Sequence, residues 1–198
     1  MFKKRVSILA ALFIGTFTAV FVFIGILMSD FLLSAWRGYF GTPQHMDAIA
    51  VGEGYSVEFI AQHIHPYLAE YDQFLGIYGG AQTGGDYLGR VKIETNTGGR
   101  VRIGLFVPTG FGEPELLVLQ RYSLSRINLR KLTKSRVSDW RSDFSQDDLP
   151  QDRAYTFLGW VSGASYPLKF IPCSIWPKLS QAEREAVIHG NPELDDLC

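Results

Sequence analysis

From Val6 to Ser29 the chain runs 24 residues without a charged side chain. As a helix that run spans about 36 Å at 1.5 Å per residue, enough for a hydrocarbon core of about 30 Å. Lipid offers no partners to backbone amides and carbonyls, so a segment this apolar is satisfied inside a bilayer only as a helix. Lys3, Lys4 and Arg5 precede it directly, whereas Asp30 and Arg37 beyond it cancel. The positive-inside bias therefore keeps the N-terminus in the cytoplasm and sends the rest across. A cleaved secretory signal has the same opening, but its apolar region is shorter and ends at a small-x-small site. Here Ser29 and Ala35 have Leu27 and Leu33 two positions earlier. An uncleaved anchor is expected.

The reading that follows is a cytoplasmic basic tail over residues 1–5, a transmembrane anchor over 6–33, a juxtamembrane collar over 34–47 and an exported domain over 48–198. In the collar Trp36, Tyr39 and Phe40 form an interfacial anchor, with aromatic rings at headgroup depth. The location expected is an inner membrane, single-pass, with the C-terminal domain periplasmic.

The exported part is long enough to bury one core without metal or disulfide staples. Its balance of charge, 15 Lys or Arg against 19 Asp or Glu after residue 37, lacks the basic surplus that phosphate contacts require, which argues against nucleic acid as a partner. Two cysteines, Cys173 and Cys198, are present. An oxidising compartment permits them to pair, and spacing alone does not say whether they do.

Hydrophobic periodicity predicts an α+β domain. Ala48–Val51 reads as a strand running into the turn Gly52-Glu53-Gly54. Ser56 then caps a helix whose apolar positions Val57, Ile60, Ala61 and Ile64 follow the i, i+3, i+4, i+7 rule. Pro66 starts a second helix with Tyr67, Leu68, Tyr71, Phe74 and Leu75 on one face and Gly76 as its stop. Val91, Ile93 and Thr95, the turn Asn96–Gly99, and Val101, Ile103, Leu105 and Val107 predict a β-hairpin. Glu115–Tyr122 and Arg126–Leu132 have strand character, and the polar stretch Thr133–Arg153 reads as irregular. Tyr155–Val161 and Tyr166–Ile171 form a second hairpin. Ser180 and Glu183 make a capping box for a terminal helix stopped by Gly190-Asn191-Pro192. The fold class expected is thus a transmembrane helix followed by a mainly antiparallel sheet, with two short helices before it and one after.

The segment Val51–Gln62 resembles the opening of a LysM module, a strand, a glycine turn and a capped helix bearing Ile60-Ala61. The resemblance implies a βααβ unit that binds N-acetylglucosamine chains, although Tyr55-Ser56 replaces the usual Asp-Thr and the loop from Gly76 to Gly89 is longer than the module's.

Catalytic patterns are missing. No G-x-S-x-G elbow surrounds Ser162. Cys173 stands in apolar company that raises a thiol pKa, without the Thr-Leu-x-Thr-Cys run of sortase-like transpeptidases. His63 and His65 could share an ion on an extended segment with Glu58, Glu70 or Asp72, but on a helix their rings diverge by about 200°. No cofactor, metal or catalytic residue is assigned. One cluster stands out: Arg121, Arg126, Arg130, Lys131, Lys134, Arg136 and Arg141 meet only Asp139 as a counter-charge before a run of aspartates. Such a segment can dock headgroups or an acidic protein face. The function expected is that of a non-catalytic subunit, assembly factor or modulator of an envelope complex, its partners being the bilayer and other envelope proteins. A peptidoglycan-associated binder is the alternative, and an envelope hydrolase or transpeptidase the third reading.

Overall fold

A computed structural model describes residues 18–26, 28–29, 31–33, 43–64, 70–80, 85–96, 101–110, 112–139, 144–163, 168–188 and 191–198. The chain forms two compact units, Met1–Thr42 and Pro43–Cys198. The described part of the first is helical at residues 18–26, 28–29 and 31–33, with exposed apolar side chains. Among the described residues no helix is long and apolar enough to cross a membrane. Residues 6–17 of the uncharged run, with Lys3, Lys4, Arg5, Trp36, Tyr39 and Phe40, lie outside the described residues.

The second unit is built of antiparallel strands, which corrects the α+β expectation. The strands are β1 (Gln44–His45), β2 (Ile49–Gly52), β3 (Tyr55–His63), β4 (Tyr71–Gly79), β5 (Asp86–Asn96), β6 (Val101–Pro108), β7 (Glu115–Leu119), β8 (Ser123–Asn128), β9 (Thr133–Asp139), β10 (Tyr155–Gly163) and β11 (Lys169–Pro172). Sheet I has the order β1-β3-β4-β5, with β2 sharing the β1 edge of β3. Sheet II has the order β11-β10-β6-β7-β8-β9. One α-helix, α1 (Gln181–Ile188), is described in this unit.

Where they are described, both helices expected before the sheet are strands, while Pro66, Tyr67 and Leu68 of the second lie outside the described residues. β3 and β4 pair without a break from Tyr55↔Gly79 to His63↔Tyr71. Val57, Phe59 and Ala61 point into the core, while Ser56 and Ile60 on the opposite face are also buried. A strand with buried residues on both sides loses its clean alternation, and its apolar positions then fit a helical period equally well. Gly76, expected as a helix stop, sits mid-strand opposite Glu58. The segment likened to a LysM opening is a hairpin: Gly52, Glu53 and Gly54, all at positive φ, turn β2 back into β3. The βααβ order is therefore absent from it.

The hairpin expected around Asn96–Gly99 is corrected in its pairing. Both strands exist, but β5 pairs with β4 whereas β6 pairs with β10 and β7, so residues 97–100 link the two sheets. The stretch expected to be irregular contains β9, an exposed polar edge strand. β10 and β11 pair as the expected second hairpin, Gly159↔Pro172 through Ser162↔Lys169, with β11 at Lys169–Pro172, while residues 164–167 of the expected hairpin lie outside the described residues.

The sheets enclose a core of Val57, Phe59, Leu75, Ile77, Ile103, Leu105, Leu116 and Val118, among others. The other face of sheet II carries a second core, where Phe106, Phe157 and Trp160 meet Trp176, Val187, Ile188 and Leu194 of a C-terminal layer. Each such large apolar side chain contributes about 1.5–3 kcal/mol on burial. Gly104 makes room for it, since a Cβ there would stand 2.9 Å from the Phe157 ring.

Directed contacts fasten the C-terminal layer. Ser180 and Glu183 form the expected capping box of α1, each satisfying the other's backbone amide. Arg102 of β6 donates to the Ile188 carbonyl at the far end of α1, 2.7 Å away, where a cation suits the helix dipole. Trp176 Nε1 donates to Asp195 Oδ1 at 2.9 Å, and a disulfide joins Cys173 to Cys198.

Candidate binding face

The basic segment is spread in space, and Arg126, Lys131 and Arg136 of it are paired with acids. Arg126, on β8, points its Nη2 at Asp152 Oδ2, 2.9 Å away, and its Nε at Glu115 Oε1, 3.6 Å away. Glu115 is buried and also takes a hydrogen bond of 2.8 Å from the Tyr155 hydroxyl, with Arg153 Nε 3.7 Å off. Burial, and then the Glu115 carboxylate beside it, pushes the Tyr155 hydroxyl well above its ordinary range. Two guanidiniums, two carboxylates and a protonated phenol thus form a closed, balanced network. Its tyrosine is the reverse of an activated nucleophile.

Lys131 pairs with Glu113 at 2.9 Å, and Arg136 with its neighbour Asp139 at 2.8 Å. Arg121 lies over the Tyr122 ring. Lys134 donates to the Ile93 carbonyl, and burial holds its ammonium below the usual lysine range despite nearby Glu94. Arg130 is exposed on the β8–β9 turn. Arg141 lies outside the described residues. Acids from other elements, Glu113, Glu115 and Asp152, answer Lys131 and Arg126 of the cluster.

The metal candidates do not converge. His63 meets Tyr71 with ring centroids 3.9 Å apart and planes tilted by 54°, Asp72 engages Lys92 and Thr95, and Glu58 engages His45. His65 lies outside the described residues. Among the described residues no group of three His, Cys, Asp or Glu could hold an ion. Ser162 is a paired strand residue of β10.

Sequence reasoning missed the outer face of sheet I. Alternation along β3, β4 and β5 sends Glu58 and Ile60, then Asp72, Phe74, Gly76 and Tyr78, then Tyr87, Arg90 and Lys92 away from the core. Pairing sets them in rows: His45–Ile60–Phe74–Lys92, Glu58–Gly76–Arg90 and Ser56–Tyr78–Tyr87. A bulge between Ile77 and Tyr78 brings Tyr87 opposite Tyr78, with ring centroids 5.3 Å apart. The Arg90 guanidinium rests 4.3 Å above the Phe74 ring, a cation–π contact that holds its plane. Lys92 and Asp72 pair at 2.7 Å, with Thr95 donating to the same carboxylate.

Glu58 is the centre of this face. Its side chain is 13% exposed, and its Oε1 lies 2.7 Å from His45 Nδ1. A carboxylate only accepts, so Nδ1 carries the shared proton and the other ring nitrogen of His45 has no proton to give unless the ring is charged. Tyr78 donates to Glu58 as well. Its hydroxyl is pushed up to about 12, by burial first and then by the Glu58 carboxylate. This phenol therefore stays protonated and keeps donating. Reading β3 and β4 as strands would have revealed these rows; the helical period scattered them.

No family model matches the chain, and neither the curated proteins nor the solved structures compared with it gave a match.

Proposed function

We propose that the chain is a membrane-tethered, extracytoplasmic binding protein, a non-catalytic subunit or modulator of an envelope complex. The apolar run held by Lys3, Lys4 and Arg5 is the tether, placed in an inner membrane with the domain on the periplasmic side. The partner is recognised through the outer face of sheet I.

One observation carries this reading. Of the four sheet faces, two bury each other and a third lies under the C-terminal layer, whereas no described element of the second unit builds a core on the fourth. That face instead presents aromatic and ionic side chains already fixed by mutual contacts. Side chains ordered before binding lose less entropy on association. The resemblance to LysM carries no weight here, since the strand pairing of Val51–Gln62 differs from the module's.

Two measurements on intact cells test the proposal. Protease added outside sealed cells should remove the domain after outer-membrane permeabilisation, and protection there would overturn the location. A photo-crosslinking residue at position 90 or 92 should capture an envelope component, while one at Glu185 on α1 should not. Equal capture from both sites, or none from the sheet, would overturn the assigned face.

A further inference from the structure

Resting on that reading, we infer that the outer face of sheet I binds an uncharged glycan strand of the envelope. Tyr87 supplies the stacking surface, and Glu58 with Arg90 supplies the hydrogen bonds.

The charge on the face selects the class of ligand. Its acids, Glu58 and Asp72, equal its permanent cations, Arg90 and Lys92, in number. Both cations lie on β5 and the acids on β3 and β4, with Lys92 paired to Asp72 and Arg90 facing Glu58 across Gly76 of the intervening strand, so each charge looks toward an opposite one and the face is neutral as a whole. A strongly acidic or basic peptide gains no net attraction from a face whose charges already balance and whose Lys92 and Asp72 are engaged with each other. A polyol has no net charge to repel, and each hydroxyl both donates and accepts, so it can use carboxylate and guanidinium alike.

The shape of the face fits the same class. Tyr87 is 54% exposed, yet its ring is braced by Tyr78, whose hydroxyl is held by Glu58. A pyranose ring is apolar on the face formed by its C–H bonds and polar around its rim. A fixed aromatic plane covers the first, and neighbouring polar groups satisfy the second. Glu58 lies low over Gly76 rather than projecting, which keeps the centre of the face flat. From β1 to β5 the sheet spans three strand spacings, about 14 Å, room for a short run of sugar rings.

The test uses the detergent-solubilised full chain titrated calorimetrically with two uncharged probes, N,N′,N″-triacetylchitotriose and maltotriose. At least one should bind saturably. Tyr87→Ala should weaken it about tenfold, as expected for a lost stacking plane, and Glu58→Gln should weaken it while far-UV circular dichroism stays unchanged. Tyr122→Ala, equally exposed but on another surface, should bind as the parent does. Absence of saturable binding by both sugars, or undiminished binding by Tyr87→Ala, overturns the inference. If crosslinkers on the face capture a protein while neither sugar binds, the ligand class falls and the binding face stands. If sugars bind but the domain proves cytoplasmic, the location falls instead.

Discussion

Glu58 lies flat across Gly76: a Cβ at position 76 would stand 3.0 Å from Glu58 Cγ and 3.3 Å from its Oε1, with Ile60 Cδ1 also at 3.0 Å. The glycine is what lets a carboxylate rest against the backbone of the neighbouring strand and still reach His45 and Tyr78. Gly76→Ala should therefore displace Glu58 and Ile60 together, at a cost of about 1 kcal/mol from overpacking. Urea denaturation should show that loss, and the same substitution should weaken any ligand held by Glu58. Unchanged stability and an unshifted Glu58 carboxyl carbon resonance would refute the contact.

The disulfide closes a loop of 25 residues around the whole C-terminal layer. Loop-closure entropy for that length gives about 3.5 kcal/mol. Cys198→Ser should lose about that much under oxidising conditions. Dithiothreitol should bring the parent protein down to the variant while leaving the variant unmoved. A parent protein indifferent to reductant would show that the layer holds without its staple.

Local signals in the sequence were reliable where the structure they report is local. The Ser180–Glu183 box, the β10–β11 hairpin and the strand character of β5 and β6 need only neighbours within a few residues. Pairing is a different quantity. Asn96–Gly99 has the chemistry of a tight turn, but nothing within it says that β5 finds a better partner in β4 than in β6. β3 misread as a helix because Ser56 and Ile60 on its outer side are buried as well as the core-facing residues, and β9 escaped notice because an exposed polar edge has almost no hydrophobic pattern. The basic cluster misled for the same reason as the hairpin, since the acids that neutralise Arg126 come from β7 and from the segment before β10. The Glu58 face required four strands to be paired correctly before it could be seen.

Arg126 and Arg136 are both arginines of the basic segment, and the structure separates their roles. Arg126 is partly buried against Glu115 and Asp152, whereas Arg136 makes one exposed pair with Asp139. Arg126→Met should cost about 2 kcal/mol, because the buried Glu115 loses one of its two cations. Arg136→Met should change stability by less than about 0.5 kcal/mol. Chemical denaturation of the two variants side by side checks this, and equal losses would remove the distinction. Charge reversal at Arg126 is accordingly a poor probe of partner binding, and reversal at Arg130 or Arg136 a cleaner one.

Glu94 gives a prediction with a definite sign in pH. A bulge after Ile93 sets it opposite the buried Gln73 rather than on the outer face, and it accepts a hydrogen bond from Gln120 Nε2 at 2.5 Å. Burial raises its carboxyl above the ordinary 4.5, against the lowering pull of Gln120 and Lys134. A raised carboxyl means that the folded state holds its proton to higher pH than the unfolded chain does. Below the unfolded value both states are protonated and nothing is lost; as pH climbs through the folded value, ionisation of a half-buried group costs stability. Glu94→Gln keeps an acceptor for Gln120 and removes the titration. Its melting temperature relative to the parent should therefore rise between pH 4 and pH 7, and a gap that stays level or shrinks over that interval would mean the Lys134 ammonium fully offsets the burial of Glu94.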